Sequence, residues 1–285
     1  MAETSGTDAF RLRPPVKTAV EFLVHSNLFV SFSATGVALT TVLLADLRLD
    51  PVPLFIVFSV TLFVYSFNRF TDLAEDEKNV PRRARFTRRY GKPLLTAGVV
   101  LYIAVLVLAF TLELPGAPFL LLPVFVGAVY SLARAKRVLL VKNLIVGGAW
   151  GAIPLGVGVY YGVLLTPEIL FLSGFFIVSV TVAAALFDIK DIEGDRREGI
   201  RTVPNVYGPR LTRVAAFVVV SALVPAVVGA TFVISSDFAV LFGFLGYVLG
   251  YIPFATRDRG TLFYGFVIDG EYLFVALLTV AVVYV

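Results

Sequence analysis

Apolar runs long enough to cross a bilayer recur along the entire chain. A stretch of about 18 or more apolar residues reads as a membrane-spanning helix, because a helix satisfies its own backbone polar groups in hydrocarbon. The composition agrees: 58% of residues are hydrophobic and 15% charged, with a mean hydropathy of +0.89. Soluble domains average about 45–50% apolar and about 25% charged. The short alternating segments of a transmembrane barrel are absent from the sequence.

The spans read as roughly 20–44, 51–67, 93–111, 116–131, 138–165, 167–187, 211–234 and 237–256, with a ninth at about 261–285 interrupted by Asp269, Gly270 and Glu271. The first, Val20 to Leu44, is too long for a signal-peptide core and has no convincing cleavage site, so it is expected to remain as a span. The polar lead-in before it has room for an interfacial helix. Of the 24 Lys and Arg residues, all but Arg48 fall in five segments: the lead-in, 68–92, 132–142, 188–213 and 257–259. Alternating spans put all five on one side, and the positive-inside rule makes that side cytoplasmic. The expected fold is all-α: a polytopic membrane protein of about nine transmembrane helices in one bundle. Residues 1–285 form a single domain, with two four-helix halves, about 20–137 and 138–256, and a terminal helix.

Two acidic stretches follow directly on apolar runs. They are Asn68-Arg69-Phe70-Thr71-Asp72-Leu73-Ala74-Glu75-Asp76 and Asp188-Ile189-Lys190-Asp191-Ile192-Glu193-Gly194-Asp195. On a helix, Asn68, Asp72 and Asp76 share one face, as do Asp188, Asp191 and Asp195. Either row alone is most simply a solvated charged face. Both, however, lie on the same side and abut the membrane, and so much like charge would repel if they converged without cations. The chain has no Cys and a single His, His25. A metal would therefore sit on oxygen ligands, which favours Mg²⁺, and Mg²⁺ held by a few carboxylates typically binds substrate phosphates. Basic residues accompany the rows: Arg82 and Arg83 after the first, Arg196, Arg197 and Arg201 after the second. Tyr130, Arg134, Lys136, Arg137 and Lys142 lie on the same side. Topology accounts for most of these bases taken singly. Together they suit a polyanion, and a diphosphate on a lipid-soluble tail fits a site at this depth.

These residues resemble the paired Asp-rich motifs of the UbiA superfamily of intramembrane prenyltransferases. The resemblance rests on Asn68-x-x-x-Asp72-x-x-x-Asp76, on Asp188 to Arg196 and the following Gly199-Ile-Arg-Thr-Val-Pro204, and on Tyr130 with the bases after it. It covers nearly the whole chain. Three departures stand out: Arg69 occupies a position that is Asp in many members, Asn79-Val-Pro81-Arg82-Arg83 replaces a common Asn-Arg-Pro-x-Arg-Pro, and Arg134 rather than Lys is fourth after Tyr130. The resemblance implies an active site on the cytoplasmic face, with two Mg²⁺ held by Asn68, Asp72, Asp76, Asp191 and Asp195. Asp188 is either a further ligand or a group behind the ligands, the second being preferred. It also implies that Arg82, Arg83, Arg134, Lys136 and Lys142 bind the diphosphate and that Tyr130 shields an allylic cation. Prenyl transfer to a lipophilic acceptor follows, an aromatic quinone precursor first and a glycerol-phosphate ether as the alternative.

Other function classes fit less well. The CDP-alcohol phosphotransferases carry an Asp-Gly-x-x-Ala-Arg element that is missing here. A cation transporter would place ionisable residues near the bilayer midplane, whereas these acids sit at helix exits. The bases hug the spans and mingle with acids, which argues against nucleic acid, and nothing marks an obligate protein partner. Asn27 and Ser31 read as cavity-lining or packing groups, Trp150 as a packing residue and His25 as interfacial. Asp269 and Glu271 are expected in a loop or at the membrane interface.

Overall fold

The computed structural model describes residues 14–71, 73, 77, 81–123, 138–197, 199–260 and 262–284. Every regular element among them is helical. The helices are α1 (Pro14–His25), α2 (Leu28–Leu44), α3 (Pro51–Thr71), α4 (Pro81–Thr111), α5 (Val141–Tyr161), α6 (Pro167–Arg197), α7 (Val203–Tyr207), α8 (Pro209–Val233), α9 (Val240–Tyr251) and α10 (Glu271–Tyr284), with a π-helical segment, Phe263–Ile268, before the last. Seven helices or fused helical stretches are long and apolar enough to cross a membrane, and an eighth is present if the bent pair α1–α2 is one span. Of the fourth expected span, at 116–131, the described residues hold the 3₁₀ turn Ala117–Leu121 and two residues beyond it.

The first span departs from expectation. Val20–Leu44 is two helices meeting at 68°, not one. The break falls at Ser26 and Asn27, and Asn27 adopts a left-handed conformation (φ 63°) that Asn tolerates better than most residues. Beyond it α2 is buried nearly all round, as suits a helix at the centre of a bundle. Several of its hydroxyls bond the preceding turn: Ser31 Oγ donates to Asn27 O and Thr35 Oγ1 to Ser31 O, each at 2.8 Å. Close approach to α10 depends on Gly36, where a Cβ would lie 2.7 Å from Tyr272 O.

Helices α5 and α6 form the most intimate pair. A Cβ on Gly147 would lie 2.6 Å from Ile177 O, and one on Gly151 would lie 2.9 Å from Ser173 O. Ser173 Oγ donates to Gly151 O at 2.8 Å. This is the small-xxx-small packing expected of Gly147 and Gly151. Two further glycine pairs at the same four-residue spacing, Gly158–Gly162 and Gly246–Gly250, behave differently. Gly158 packs on Ile169 while Gly162 caps the helix, and a Cβ on Gly246 or Gly250 would meet nothing within 4 Å. The core beside this pair is aromatic: Trp150, Phe176 and Phe244 surround Tyr272 with ring centroids 4.6–6.2 Å away. Trp150 is thus a packing residue, as the sequence suggests. Large apolar side chains such as Ile103, Val107, Val218 and Leu277 face outward, the surface a lipid-facing bundle needs.

The end of the bundle holding Arg48 is tied by polar side chains. Asp50 Oδ1 accepts from Val52 N at 2.9 Å at the start of α3, and Asp50 Oδ2 accepts from Tyr160 OH at 2.9 Å. Tyr161 OH donates to Arg48 O at 2.7 Å. Asn68 and the second acidic row lie at the other end, where α3 and α6 finish.

Candidate functional site

Helix α6 is 31 residues long, about 46 Å at 1.5 Å per residue, against roughly 30 Å of hydrocarbon. Its last turns therefore carry the second acidic row beyond the apolar layer as unbroken helix. Asp188 and Asp195 are buried and Asp191 half-buried. Asn68, half-buried, occupies the last turn of α3. Asp72, Asp76, Tyr130, Arg134 and Lys136, together with the side chain of Arg82, lie outside the described residues.

Asp188 is engaged from α5. Lys142 Nζ donates to its Oδ1 at 2.8 Å and Asn143 Nδ2 to its Oδ2 at 2.9 Å. Both carboxylate oxygens are thus occupied by donors from the neighbouring helix. Lys142 also lies within electrostatic reach of Asp195 and Asp191. Asp191 is hydrogen-bonded by its neighbour Lys190, and Arg83 on α4 is within electrostatic reach of both. Among the described residues no three carboxylates or imidazoles converge on one point. The donor set that is present, carboxylates at Asp191 and Asp195 one helical turn apart with a base beside them, has the hard-oxygen chemistry that Mg²⁺ takes.

Next to this row is a cavity of about 40 Å³. Its wall includes Arg69 from α3, Arg83 from α4, Lys190 and Phe187 from α6, Asn27 at the α1–α2 break, and Asp269 at the turn before α10. Tyr65 also faces it and accepts a hydrogen bond from Trp150 Nε1 at 3.2 Å. Lys190 Nζ stands over the rings of Phe187 and Tyr264, 5.8 and 6.0 Å from their centroids. Asn27 is therefore a cavity residue, bonded through Nδ2 to Ser66 Oγ at 3.5 Å.

The two acids of the last span differ in their surroundings. Glu271 is buried, with Tyr251 OH donating to its Oε2 at 2.6 Å, and Asp269 faces the cavity. Asp269 lies in the turn before α10, whereas Glu271 opens that helix and is buried in the bundle. Arg69, Lys190 and Asp269 were not among the residues singled out from sequence as ligands or substrate contacts. Asp269 did carry a signal, since an ionisable residue within a span is functional by default.

The model of the UbiA prenyltransferase family matches residues 29–282, most of the chain and both acidic rows. The chain belongs to the UbiA family. This UbiA member is an integral membrane protein, and its helical bundle resembles two solved structures. One, a structure of a UbiA homolog from Aeropyrum pernix K1 in its apo form, superposes with a TM-score of 0.58 at 18% identity, covering 92% of this chain and 96% of that one. The other, from work on digeranylgeranylglyceryl phosphate synthase in membranes, gives a TM-score of 0.57 at 16% identity over 94% and 97% of the two chains. A curated relative, the digeranylgeranylglyceryl phosphate synthase of Methanosphaera stadtmanae, is 26% identical over 149 residues. That alignment spans 51% of this UbiA chain and 53% of the relative, about half of each.

Proposed function

We propose that this protein transfers a prenyl group from a prenyl diphosphate to a glycerol-phosphate ether within the membrane, on its cytoplasmic side. The observation that carries the reading is the Lys142–Asp188 pair beside Asp191 and Asp195, a fixed base next to a carboxylate row at the end of a long membrane helix. Family membership supports prenyl transfer. The Methanosphaera relative, named for a glyceryl phosphate bearing two geranylgeranyl chains, favours the glycerol-phosphate acceptor over the aromatic quinone precursor that the sequence put first.

In this reading Asn68, Asp72, Asp76, Asp191 and Asp195 would hold two Mg²⁺, whose chemistry when bound is to neutralise the diphosphate and ease its departure. Asp188 positions Lys142. An ammonium has three donors, and the bond to Asp188 uses one while fixing where Nζ sits, so the others are aimed at an incoming phosphate oxygen. Arg82, Arg83, Arg134 and Lys136 add charge-assisted hydrogen bonds. The allylic carbon–oxygen bond breaks, the diphosphate leaves with the electron pair, and an acceptor hydroxyl oxygen forms the new bond as its proton passes to the departing diphosphate. Tyr130 shields the cation from water.

A reconstituted assay with labelled prenyl diphosphates tests this, with acceptors of both classes and with Mg²⁺ or excess EDTA. Turnover is expected only with Mg²⁺, and Asp191→Asn should abolish it in folded protein while Asp188→Asn leaves the half-saturating Mg²⁺ concentration within about twofold. Full activity of Asp191→Asn, or activity in EDTA, would remove the proposal.

A further inference from the structure

Helix α4 presents two unlike faces. Ala84, Thr87, Tyr102, Val105 and Ala109 are buried against the bundle. With 3.6 residues per turn, Val100, Ile103, Val107 and Phe110 fall on the opposite side, and each is about half exposed. That stripe is the one that meets lipid chains. Traced toward the start of the helix, it carries Arg85, Arg88, Arg89 and Lys92, all exposed. The four bases and the four apolar residues share an arc of about 120°. Topology asks only for bases at this end of the bundle. It does not ask that they stand in register above the lipid-facing stripe, and Arg83 of the same helix lines the inner cavity instead.

The depth also fits. From Pro93 to Thr111 the helix has no charged residue, about 28 Å of rise against roughly 30 Å of hydrocarbon. Lys92, Arg89 and Arg88 then stand within about 6 Å of the apolar boundary, in a headgroup layer about 5–7 Å deep. Aromatic rings flank them. Tyr90, 37% exposed, and Phe22 of α1, 45% exposed, have ring centroids 6.4 Å apart. The Arg89 guanidinium carbon lies 5.2 Å from the centroid of the Tyr90 ring. An amphipathic ring beside a long basic side chain suits the membrane–water boundary. Arg88 is bonded to Glu77, so Arg85, Arg89 and Lys92 carry the remaining charge of the stripe. We infer that this face of α4 binds a membrane lipid with an anionic phosphate headgroup, whose chains run along Val100, Ile103 and Val107. The guanidinium forks of Arg85 and Arg89 match paired phosphate oxygens, and Lys92 adds a point charge at the boundary. The binding does not depend on the prenyl-transfer reading.

Lipid selectivity measures this without turnover. The full chain is reconstituted in phosphatidylcholine vesicles with a trace of spin-labelled phosphatidylglycerol or spin-labelled phosphatidylcholine. Electron paramagnetic resonance separates lipid held at the protein surface from free lipid and gives the ratio of the two association constants. The anionic lipid should be preferred at least about threefold. Arg89→Gln/Lys92→Gln should bring the ratio to within about 1.5-fold of unity, whereas Arg89→Lys should keep most of the preference. Arg197→Gln/Arg201→Gln removes the same charge from exposed positions at this end of the bundle and should leave the ratio at about threefold. Far-ultraviolet circular dichroism checks that each variant is folded. Equal affinity for the two lipids in the unaltered protein overturns the inference. So does an equal fall in the two double variants, which would assign the preference to net charge rather than to α4. Retention of soluble polyglutamate by the α4 bases, with no selectivity between the lipids, would assign the face to an acidic protein and overturn it as well.

Discussion

Replacing Lys142 with Met should destabilise the protein more than replacing Asp188 with Asn, although both changes break the same ion pair. The Asp188 side chain is 3% exposed and that of Lys142 is 28% exposed. In Lys142→Met the carboxylate stays buried with only Asn143 to bond it, and stranding a buried charge costs about 3–5 kcal/mol. In Asp188→Asn the remaining ammonium reaches water over more than a quarter of its surface, so the loss falls toward that of an ordinary hydrogen bond, about 1–2 kcal/mol. The double variant removes both charges and should be more stable than Lys142→Met alone. The coupling between the two sites should then be about 1–3 kcal/mol. Thermal unfolding in detergent, followed by far-ultraviolet circular dichroism on the four proteins, measures this cycle. Equal losses in the single variants, or a double variant whose loss is their sum, would show that Asp188 and Lys142 do not hold each other as described.

Two further expectations concern stability alone. Gly147→Val should cost about 1–3 kcal/mol by forcing α5 away from Ile177 O, whereas Gly246→Ala, with open space around it, should stay within about 0.5 kcal/mol; unfolding midpoints compare the two. The backbone N–H of Val52, with help from Tyr160 and Arg48, holds the Asp50 carboxyl below the usual carboxylate range. Its stabilisation is therefore present above the unfolded-state value, about 3.9, and is lost as pH falls through the lower folded value. The midpoint gap between wild type and Asp50→Ala should be open at pH 7 and narrow below about pH 4.

Much of the fold is legible in the sequence because hydropathy is a local property. The apolar run ending at Phe187 and the acids after it are enough to say that α6 carries ligand-type oxygens past the membrane, and the structure shows one helix from Pro167 to Arg197. What the sequence conceals is non-local or conformational. Whether Asp188 turns to a metal or to Lys142 and Asn143 depends on how α5 and α6 are rotated against each other, across a separation of 45–46 residues. The Asn27 break is hidden because one left-handed residue hardly alters the mean hydropathy of the run around it. Lys190 is inconspicuous in the sequence beside the aspartates, yet its side chain lines the neighbouring cavity. The cost of charge inside a span points Asp269 and Glu271 to a loop or the membrane interface; Asp269 does lie in a turn, while Glu271 is buried because Tyr251 bonds it, a partner that hydropathy does not reveal.

The account depends on the two acidic rows acting as one site, and Mn²⁺ binding measures that most directly. Electron paramagnetic resonance on the full chain in detergent, with a non-reacting prenyl diphosphate analogue, counts Mn²⁺ bound as a stand-in for Mg²⁺. About two ions per chain are expected, with binding weakened at least about tenfold by Asp72→Asn on the first row and equally by Asp191→Asn on the second. Unchanged stoichiometry and affinity in both variants would contradict it.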